Sequence, residues 1–270
     1  YWDIAPNMDA TISPRLMSKR GLQINTEYRY LNQDYQGRAQ VEWLPNDRLT
    51  DSKRYGYSIL HIHNNLGNGF SGLLNVNGVS DGTYFRDLST RITQASQGNM
   101  LRQGVLTYGG GWWTASANVQ TYQTLQDLVT PYRRLPQITA TAFRYDMPLG
   151  LAFNLNAEHV SFDHPTYLLG KRTTLYPQLS LPLATAAFSL TPKIGIHSTQ
   201  YALSRLDTPG PNQIDLQPSS NESRALPIFS VDGGFVIERA TDWFGQSLVQ
   251  TLEPRAYYVY IPRRDQRRIP

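Results

Sequence analysis

Residues 21–31 read Gly-Leu-Gln-Ile-Asn-Thr-Glu-Tyr-Arg-Tyr-Leu, a stretch in which apolar and polar side chains alternate one by one. One set of alternate positions carries Leu22, Ile24, Thr26, Tyr28 and Tyr30, and the other carries Gln23, Asn25, Glu27 and Arg29. Successive side chains of a β-strand point to opposite faces of its sheet. This stretch therefore predicts a strand with one apolar face and one polar face.

The same period of two recurs at 113–120, 151–158, 229–238 and 251–260, whereas 54–63 is mixed on both faces. No segment has the period of an amphipathic helix, so an all-β fold is predicted. The apolar set includes Trp113, Ala117, Leu151, Leu155, Val231 and Ile237. The polar set includes Asn118, Asn154, Asn156, Asp232, Glu238, Glu253 and Arg255.

The lengths of the strands and of their connections indicate a transmembrane antiparallel β-barrel. Short turn sequences at 64–69, 109–111 and 146–150 alternate with longer polar connections. The longer connections are predicted at 80–97, 123–134, 161–172 and 201–224. Many strand-like runs are about 9 to 12 residues long, the length that a tilted strand needs to cross a bilayer. Aromatic residues lie near the ends of these runs, as in the interfacial girdles of such barrels.

Other classes of protein fit less well. The uncharged stretches 103–126 and 173–192 are interrupted by Gly or Pro, so neither predicts a membrane-spanning helix. The net charge of +4 is spread along the chain and gives little support for nucleic-acid binding. A soluble β-sandwich remains an alternative, but its outer face would be rich in Lys and Glu. Here the polar positions are mainly Asn, Gln, Thr and Ser, which suit a water-filled lumen.

Candidates for catalysis or metal binding are weak. His61 and His63 have a spacing compatible with metal ligation, but no further motif supports them, and we expect both to line a polar or mixed face of the barrel. The chain has no Cys and no G-x-S-x-G motif. We therefore expect no metal, no cofactor and no catalytic residues. An outer-membrane lipid hydrolase with its site hidden on strands stays as an alternative.

Prolines within strand-like runs are unusual, because each removes one donor from the ladder. The six in question are Pro14, Pro177, Pro182, Pro192, Pro227 and Pro254. Most of them are expected at strand ends or bulges, where strands tolerate proline. The alternative is a sheet whose pairing is locally weakened, which matters most for Pro14 in the first strands.

Several stretches in order along the chain resemble the LptD family, which assembles lipopolysaccharide in the outer membrane of Gram-negative bacteria. They are 5–11 (APNMDAT), 18–22 (SKRGL), 27–31 (EYRYL), 79–87 (VSDGTYFRD), 176–182 (YPQLSLP), 223–234 (SRALPIFSVDGG), 237–239 (IER) and 250–262 (QTLEPRAYYVYIP). One departure is Arg263, where the family usually has Tyr after the proline.

The resemblance implies the N-terminal half of a barrel of about 26 strands, so that 1–270 is a single partial barrel domain that does not close by itself. A periplasmic jelly-roll domain, the closing strands and the family's cysteines would lie outside it. The implied partners are lipopolysaccharide, the plug lipoprotein LptE inside the barrel, periplasmic bridge proteins reached through the N-terminal domain, and the barrel-assembly machinery. Nucleic acid is not among them.

In this family lipopolysaccharide leaves between the first and last strands, so the resemblance makes Pro14 a candidate for the lateral gate. The polar candidates for the lumen are Glu27, Arg29, Asn118, Asn154, Asn156, Asp232, Glu238, Glu253 and Arg255. The implied function is lipopolysaccharide transport into the outer leaflet of the outer membrane, without enzymatic activity. A passive porin of about 12 to 14 strands is the main alternative.

Overall fold

The computed structural model describes residues 1–89, 98–125, 128–208, 219–265 and 269. Parts of three predicted long connections, at 90–97, 126–127 and 209–218, lie outside the described residues. The strands are β1 (Trp2–Ala5), β2 (Met8–Met17), β3 (Gly21–Leu31), β4 (Tyr35–Asp47), β5 (Ser52–Gly67), β6 (Phe70–Val79), β7 (Asn99–Gly109), β8 (Trp113–Thr124), β9 (Arg133–Arg144), β10 (Ala152–Asp163), β11 (Leu169–Ser180), β12 (Leu183–Ala184), β13 (Phe188–Ser204), β14 (Asn221–Phe235), β15 (Ile237–Trp243), β16 (Gln246–Leu252) and β17 (Arg255–Tyr260). Helix α1 spans Tyr84–Leu88, and Pro148–Gly150 forms a 3-10 turn.

One large antiparallel sheet contains most of the strands. Its order is β1-β2-β3-β4-β5-β6-β7-β8-β9-β10-β11-β13-β14-β17, with β12 paired to β13, and β15 and β16 form a separate two-stranded sheet. The predicted all-β antiparallel fold, as part of a large barrel of the family that the sequence resembles, is confirmed. Within the ranges described above, no helix is long and apolar enough to cross a membrane.

The chain divides into two compact units. The first contains Tyr1–Gly110, Ala115–Ile138 and Val160–Leu169, and the second contains Gly111–Thr114, Thr139–His159 and Gly170–Pro270. The expectation that 1–270 forms a single domain stays a prediction.

The first unit has continuous strand registers and a small apolar cluster. β2 pairs with β3 from Met8↔Tyr30 to Met17↔Gly21 without a register shift. Cross-strand neighbours share a face of the sheet, so the alternation in β3 extends to β2, β4 and β5. Its buried apolar cluster contains Leu44, Val79, Tyr84, Leu88, Met100 and Leu125. Two members of this cluster belong to α1, so the connection after β6 packs against the strands.

The second unit contains the long hairpin of β13 and β14, paired from Phe188↔Phe235 to Ala202↔Asn221. β14 also pairs with β17. Between them, β15 and β16 form a hairpin whose turn residues, Phe244 and Gly245, have positive φ. Among the residues that the structure describes, β14 is the only strand paired with β17.

The expectation that most of the six prolines lie at strand ends or bulges is wrong. Pro14, Pro177, Pro192 and Pro227 lie inside strands. The ladders through Pro14, Pro192 and Pro227 run without a register shift. In an antiparallel ladder, alternate residues direct their backbone groups away from a given neighbour. A proline at such a position removes no hydrogen bond from that ladder, which is why the strand continues through it.

Candidate functional site on the first strands and the polar face

Charged residues form ion pairs on the polar face of β2, β3 and β4 in the first unit. Arg29 on β3 donates two hydrogen bonds to Asp9 on β2, at 2.9 Å and 2.8 Å. Glu27 accepts from Arg38 at 2.6 Å and from Gln40 at 2.8 Å, both on β4. Glu27 and Arg29 therefore lie on one face with charged partners of opposite sign, as their alternation predicted. Their exposure to a lumen stays a prediction.

On β7, β8 and β9 of the first unit, hydrogen bonds between neutral amide side chains take the place of these ion pairs. Asn118 on β8 is buried, and its Oδ1 accepts from Gln103 on β7 at 3.1 Å. Its Nδ2 donates to Gln137 on β9 at 3.1 Å. Asn118 thus links three strands through hydrogen bonds between uncharged groups.

The second unit holds the remaining polar candidates. Asn156 donates to Asn154 on the same strand at 2.9 Å. Arg255 on β17 pairs with Asp232 on β14 through two contacts, one of them an Nε–Oδ1 hydrogen bond of 2.8 Å. The other two candidates lie off the large sheet. Glu238 belongs to the β15–β16 hairpin and Glu253 lies between β16 and β17, so the register of the large sheet does not support their lumen assignment.

Pro14 lacks a donor on the edge of β2 that faces away from β3. The Leu31 N–H donates to the Asn7 carbonyl at 2.9 Å, which makes that pair a hydrogen-bonded one. Because such pairs alternate, the odd-numbered residues of β2 bond to β3 and the even-numbered ones point to the opposite edge. β1 pairs on that edge, for example Trp2 with Ala10. Pro14 therefore leaves the β2–β3 ladder intact and removes a donor only from the other edge.

His61 and His63 lie among tyrosines, on the face of the sheet that carries the apolar set of β3. Tyr30 OH is 2.6 Å from His61 Nδ1, and the ring of His63 stacks on Tyr35 with centroids 5.2 Å apart. The register explains this position, because Gly37 pairs with both Tyr30 and His61. Among the described residues, no group of three or more His, Cys, Asp or Glu could hold a metal ion.

The connection after β6 folds back over the polar face, and we call its described part, Ser80–Ser89, the strap. Tyr84 is its central residue, with 1% of its surface exposed. The Tyr84 hydroxyl donates to Glu42 on β4 at 2.7 Å and accepts from Gln23 on β3 at 3.2 Å. At the far end of the strap, Arg15 on β2 donates to the Leu88 carbonyl at 2.7 Å. The strap therefore reaches from β6 to β2.

Arg54 on β5 anchors the strap through a buried ion-pair cluster. Its guanidinium group, 3% exposed, lies 2.8 Å from Asp81, 2.9 Å from Asp87 and 3.2 Å from Asp47. Arg20, in the β2–β3 turn, adds a pair with Asp47 at 2.6 Å and a longer one with Asp87 at 3.7 Å. Buried charges are tolerated when they are paired and hydrogen-bonded. Each member of this cluster thus depends on the others.

The titration behaviour of the strap follows from its burial and from Arg54. Burial raises the pKa of Asp81, but hydrogen bonds from Arg54, Ser80 and Thr83 outweigh it and leave this pKa below its usual value. The pKa of Asp87 is lowered in the same way by Arg54 and Thr83, against the effect of burial. Burial, followed by the hydrogen bond to Glu42, raises the pKa of Tyr84 far above its usual value. The aspartates thus stay ionised and the phenol stays protonated near neutral pH.

Sequence reasoning treated 80–97 as a polar connection and missed the strap together with Arg20, Asp47 and Arg54. The available signal was the sequence Tyr84-Phe85 followed by Leu88, because apolar side chains in a connection indicate that it packs against something. The mixed character of 54–63 was a second signal. Arg54 lies under the strap, and so does Gly56, where a Cβ would be 3.2 Å from the Tyr84 ring.

We expect Gly56→Ala to destabilise the protein by about 1–3 kcal/mol, the usual cost of overpacking. The added methyl group would press on the Tyr84 ring, which its hydrogen bonds to Glu42 and Gln23 hold in place. The measurement is the free energy of unfolding of the full-length protein in detergent. Gly104→Ala on β7 is the matched control, since a Cβ there has no heavy atom within 4 Å. Equal effects at both glycines would contradict the packing of Tyr84 over Gly56.

Comparisons with known proteins give a consistent result over the whole chain. The family described as LPS transport system D, LptD, matches residues 52–270. Curated relatives called LPS-assembly protein LptD cover the entire chain, at 49% identity in Azoarcus sp. (strain BH72), 48% in Aromatoleum aromaticum and 43% in Nitrosomonas europaea. The chain spans 33%, 33% and 38% of these relatives, about a third of their length. On these matches, the chain belongs to the LptD family.

Proposed function

We propose that this chain is part of an integral outer-membrane barrel that carries lipopolysaccharide to the outer leaflet of a Gram-negative outer membrane. The observation that carries the proposal is the similarity of the whole chain to relatives called LPS-assembly protein LptD. The work is transport, with no covalent bond made or broken. Residues 1–270 form one partial barrel domain, which the rest of the protein closes.

The two faces of the sheet are assigned to two environments. The apolar set, which includes Val41 and Ile24, faces lipid, as alternate residues of barrel strands do. The ion pairs of Glu27 and Arg29, the amides of Asn118, Asn154 and Asn156, and the Asp232–Arg255 pair face a water-filled lumen. Glu238 and Glu253 are assigned to the same aqueous side on their sequence pattern alone.

The partners follow from the family and include the plug lipoprotein LptE, the periplasmic bridge proteins and the barrel-assembly machinery. Lipopolysaccharide itself is supported further by the names of the relatives. We place its exit at the seam between the first and last strands of the barrel. Pro14 weakens the pairing of the first strands next to this seam, because the donor that Pro14 lacks belongs to the edge of β2 facing away from β3.

The test is complementation. A Gram-negative strain depleted of its own assembly protein receives the full-length protein that contains this chain, and surface lipopolysaccharide is measured at matched membrane abundance. Restored delivery is the expected result. Folded, membrane-inserted protein that restores no delivery would overturn the proposal. Ion conductance of purified protein without a partner would then favour a porin, and loss of a lipase activity on replacing one Ser would favour a hydrolase.

Pro14→Ala should slow lipopolysaccharide delivery by about two- to tenfold, the factor that corresponds to one net hydrogen bond. Alanine restores a donor on the edge of β2 that faces away from β3, which strengthens the pairing of the first strands and makes the seam beside them harder to open. Delivery is compared at equal membrane abundance for Pro14→Ala alone and together with replacement of a second gate proline, which the resemblance to the family implies just before Tyr1. Pro227→Ala is the control, since Pro227 also lies inside a strand but belongs to β14. Unchanged delivery in both Pro14 variants would make Pro14 an ordinary strand proline.

A further inference from the structure

We propose that the strap, Ser80–Ser89, holds β2 in place while the seam opens, and that Arg15 is the positioning residue through which it does so. The inference rests on the proposed function, because it assigns the strap a role in lipid release.

The strap reaches across β5, β4 and β3. The chain leaves β6 at Val79 and crosses the polar face, where Tyr84 lies over Gly56 of β5 and bonds to Glu42 of β4 and Gln23 of β3. A direct connection to the neighbouring strand β7 would need none of these contacts. The strap therefore ties strands together across the direction of their ladders.

The strap attaches to two polar-side positions at the end of β2 and to the turn that follows it. Arg15 donates to the Leu88 carbonyl at 2.7 Å, and Met17 packs against the apolar cluster that contains Tyr84 and Leu88. Beyond β2, Arg20 in the following turn pairs with Asp87 at 3.7 Å. These contacts lie beside Pro14, whose missing donor weakens the opposite edge of the strand.

β2 pairs with β3 along its whole length, its other edge is weakened by Pro14 and carries β1, and the strap crosses its polar side. When β1 moves as the seam opens, the strap and β3 keep β2 with β4 and β5, so the opening does not spread past β1. Without the strap, β2 would partly follow β1, and the β2–β3 ladder would open as well.

The experiment uses full-length protein with its partner in a membrane and compares Arg15→Met, which removes the donor, with Arg15→Lys, which keeps one. Arg86→Gln is the matched control, because Arg86 lies on the strap, is 66% exposed and, within the described part of the chain, pairs only with its neighbour Asp87, at 3.6 Å. The first measurement is amide hydrogen exchange of residues 8–17, and the second is surface lipopolysaccharide at equal membrane abundance.

For Arg15→Met we expect exchange in β2 to rise by about two- to tenfold and delivery to fall by a similar factor, with recovery in Arg15→Lys and no change in Arg86→Gln. Unchanged exchange in Arg15→Met would overturn the proposed role of the strap. Faster exchange with normal delivery would overturn it as well. Both of those results leave the proposed function intact, because the unaltered protein still delivers lipopolysaccharide. Failure of delivery by the unaltered protein overturns the proposed function and the role of the strap with it.

Discussion

Arg54→Met is expected to lower the free energy of unfolding of the full-length protein by about 3–5 kcal/mol, the cost of breaking a buried ion pair by removing one partner. The change leaves the fully buried Asp47 paired only with Arg20 among the described residues, and it leaves Asp87 with two longer pairs, to Arg20 and to the exposed Arg86. It also leaves Asp81 without its guanidinium partner. The measurement is denaturant unfolding of the detergent-solubilised protein, followed by tryptophan fluorescence.

Arg86→Met serves as the control for Arg54→Met, because it removes an arginine that is exposed on the strap, whereas Arg54 is buried beneath the strap. Exposed ion pairs contribute about 0–1 kcal/mol, so the control should be nearly neutral. A loss below about 1 kcal/mol for Arg54→Met would contradict the cluster, since the change removes the buried guanidinium shared by the fully buried Asp47 and by the partly buried Asp81 and Asp87. Arg54→Lys should recover part of the loss, because lysine keeps the charge but not the forked geometry.

Val41→Arg is expected to cost about 2–4 kcal/mol of folding free energy in a lipid bilayer, as for a cation on the lipid face near the midplane. Val41 lies in the middle of β4, is 46% exposed and pairs with Thr26 and Tyr57 on the apolar face. The measurement is reversible unfolding of the full-length protein inserted into lipid vesicles.

Gln40→Arg is the matched control for Val41→Arg, since residue 40 is adjacent in sequence and lies on the opposite face. The new arginine would be near Glu27, to which Gln40 now donates at 2.8 Å, so we expect little change in stability. Equal costs at 40 and 41 would mean that the two faces of β4 do not meet different environments. The assignment of the apolar face to lipid would then be wrong.

Alternation was the part of the fold that could be predicted from sequence. The side-chain period of a strand is a local property of the backbone, so Glu27 and Arg29 could be placed on one face of β3 from eleven residues alone. Turn sequences such as Gly67-Asn68-Gly69 were equally informative, because positive φ at all three positions favours glycine and asparagine. The antiparallel order of the strands follows from these two signals and from the shortness of the turns.

The pairing register was decided only in the tertiary structure, because it depends on contacts between residues distant in sequence. It brings Asp9 opposite Arg29, sets the missing donor of Pro14 on the edge away from β3, and places His61 among tyrosines. It also separates Glu238 from the large sheet, which its alternation with Ile237 did not indicate.

The burial of the strap was decided by the tertiary structure and could not be predicted from its sequence. Its composition, with Asp81, Arg86 and Asp87 in ten residues, is that of a solvent-exposed connection, and composition alone gives no reason for burial. Burial becomes favourable only when the fold brings Arg54 beneath the aspartates and leaves room for Tyr84 over Gly56. The sequence by itself determined where strands run and which side chains share a face, since these are local properties. The tertiary structure alone decided which charges are buried together, because a carboxylate is buried only where a cation from a distant part of the sequence pairs with it.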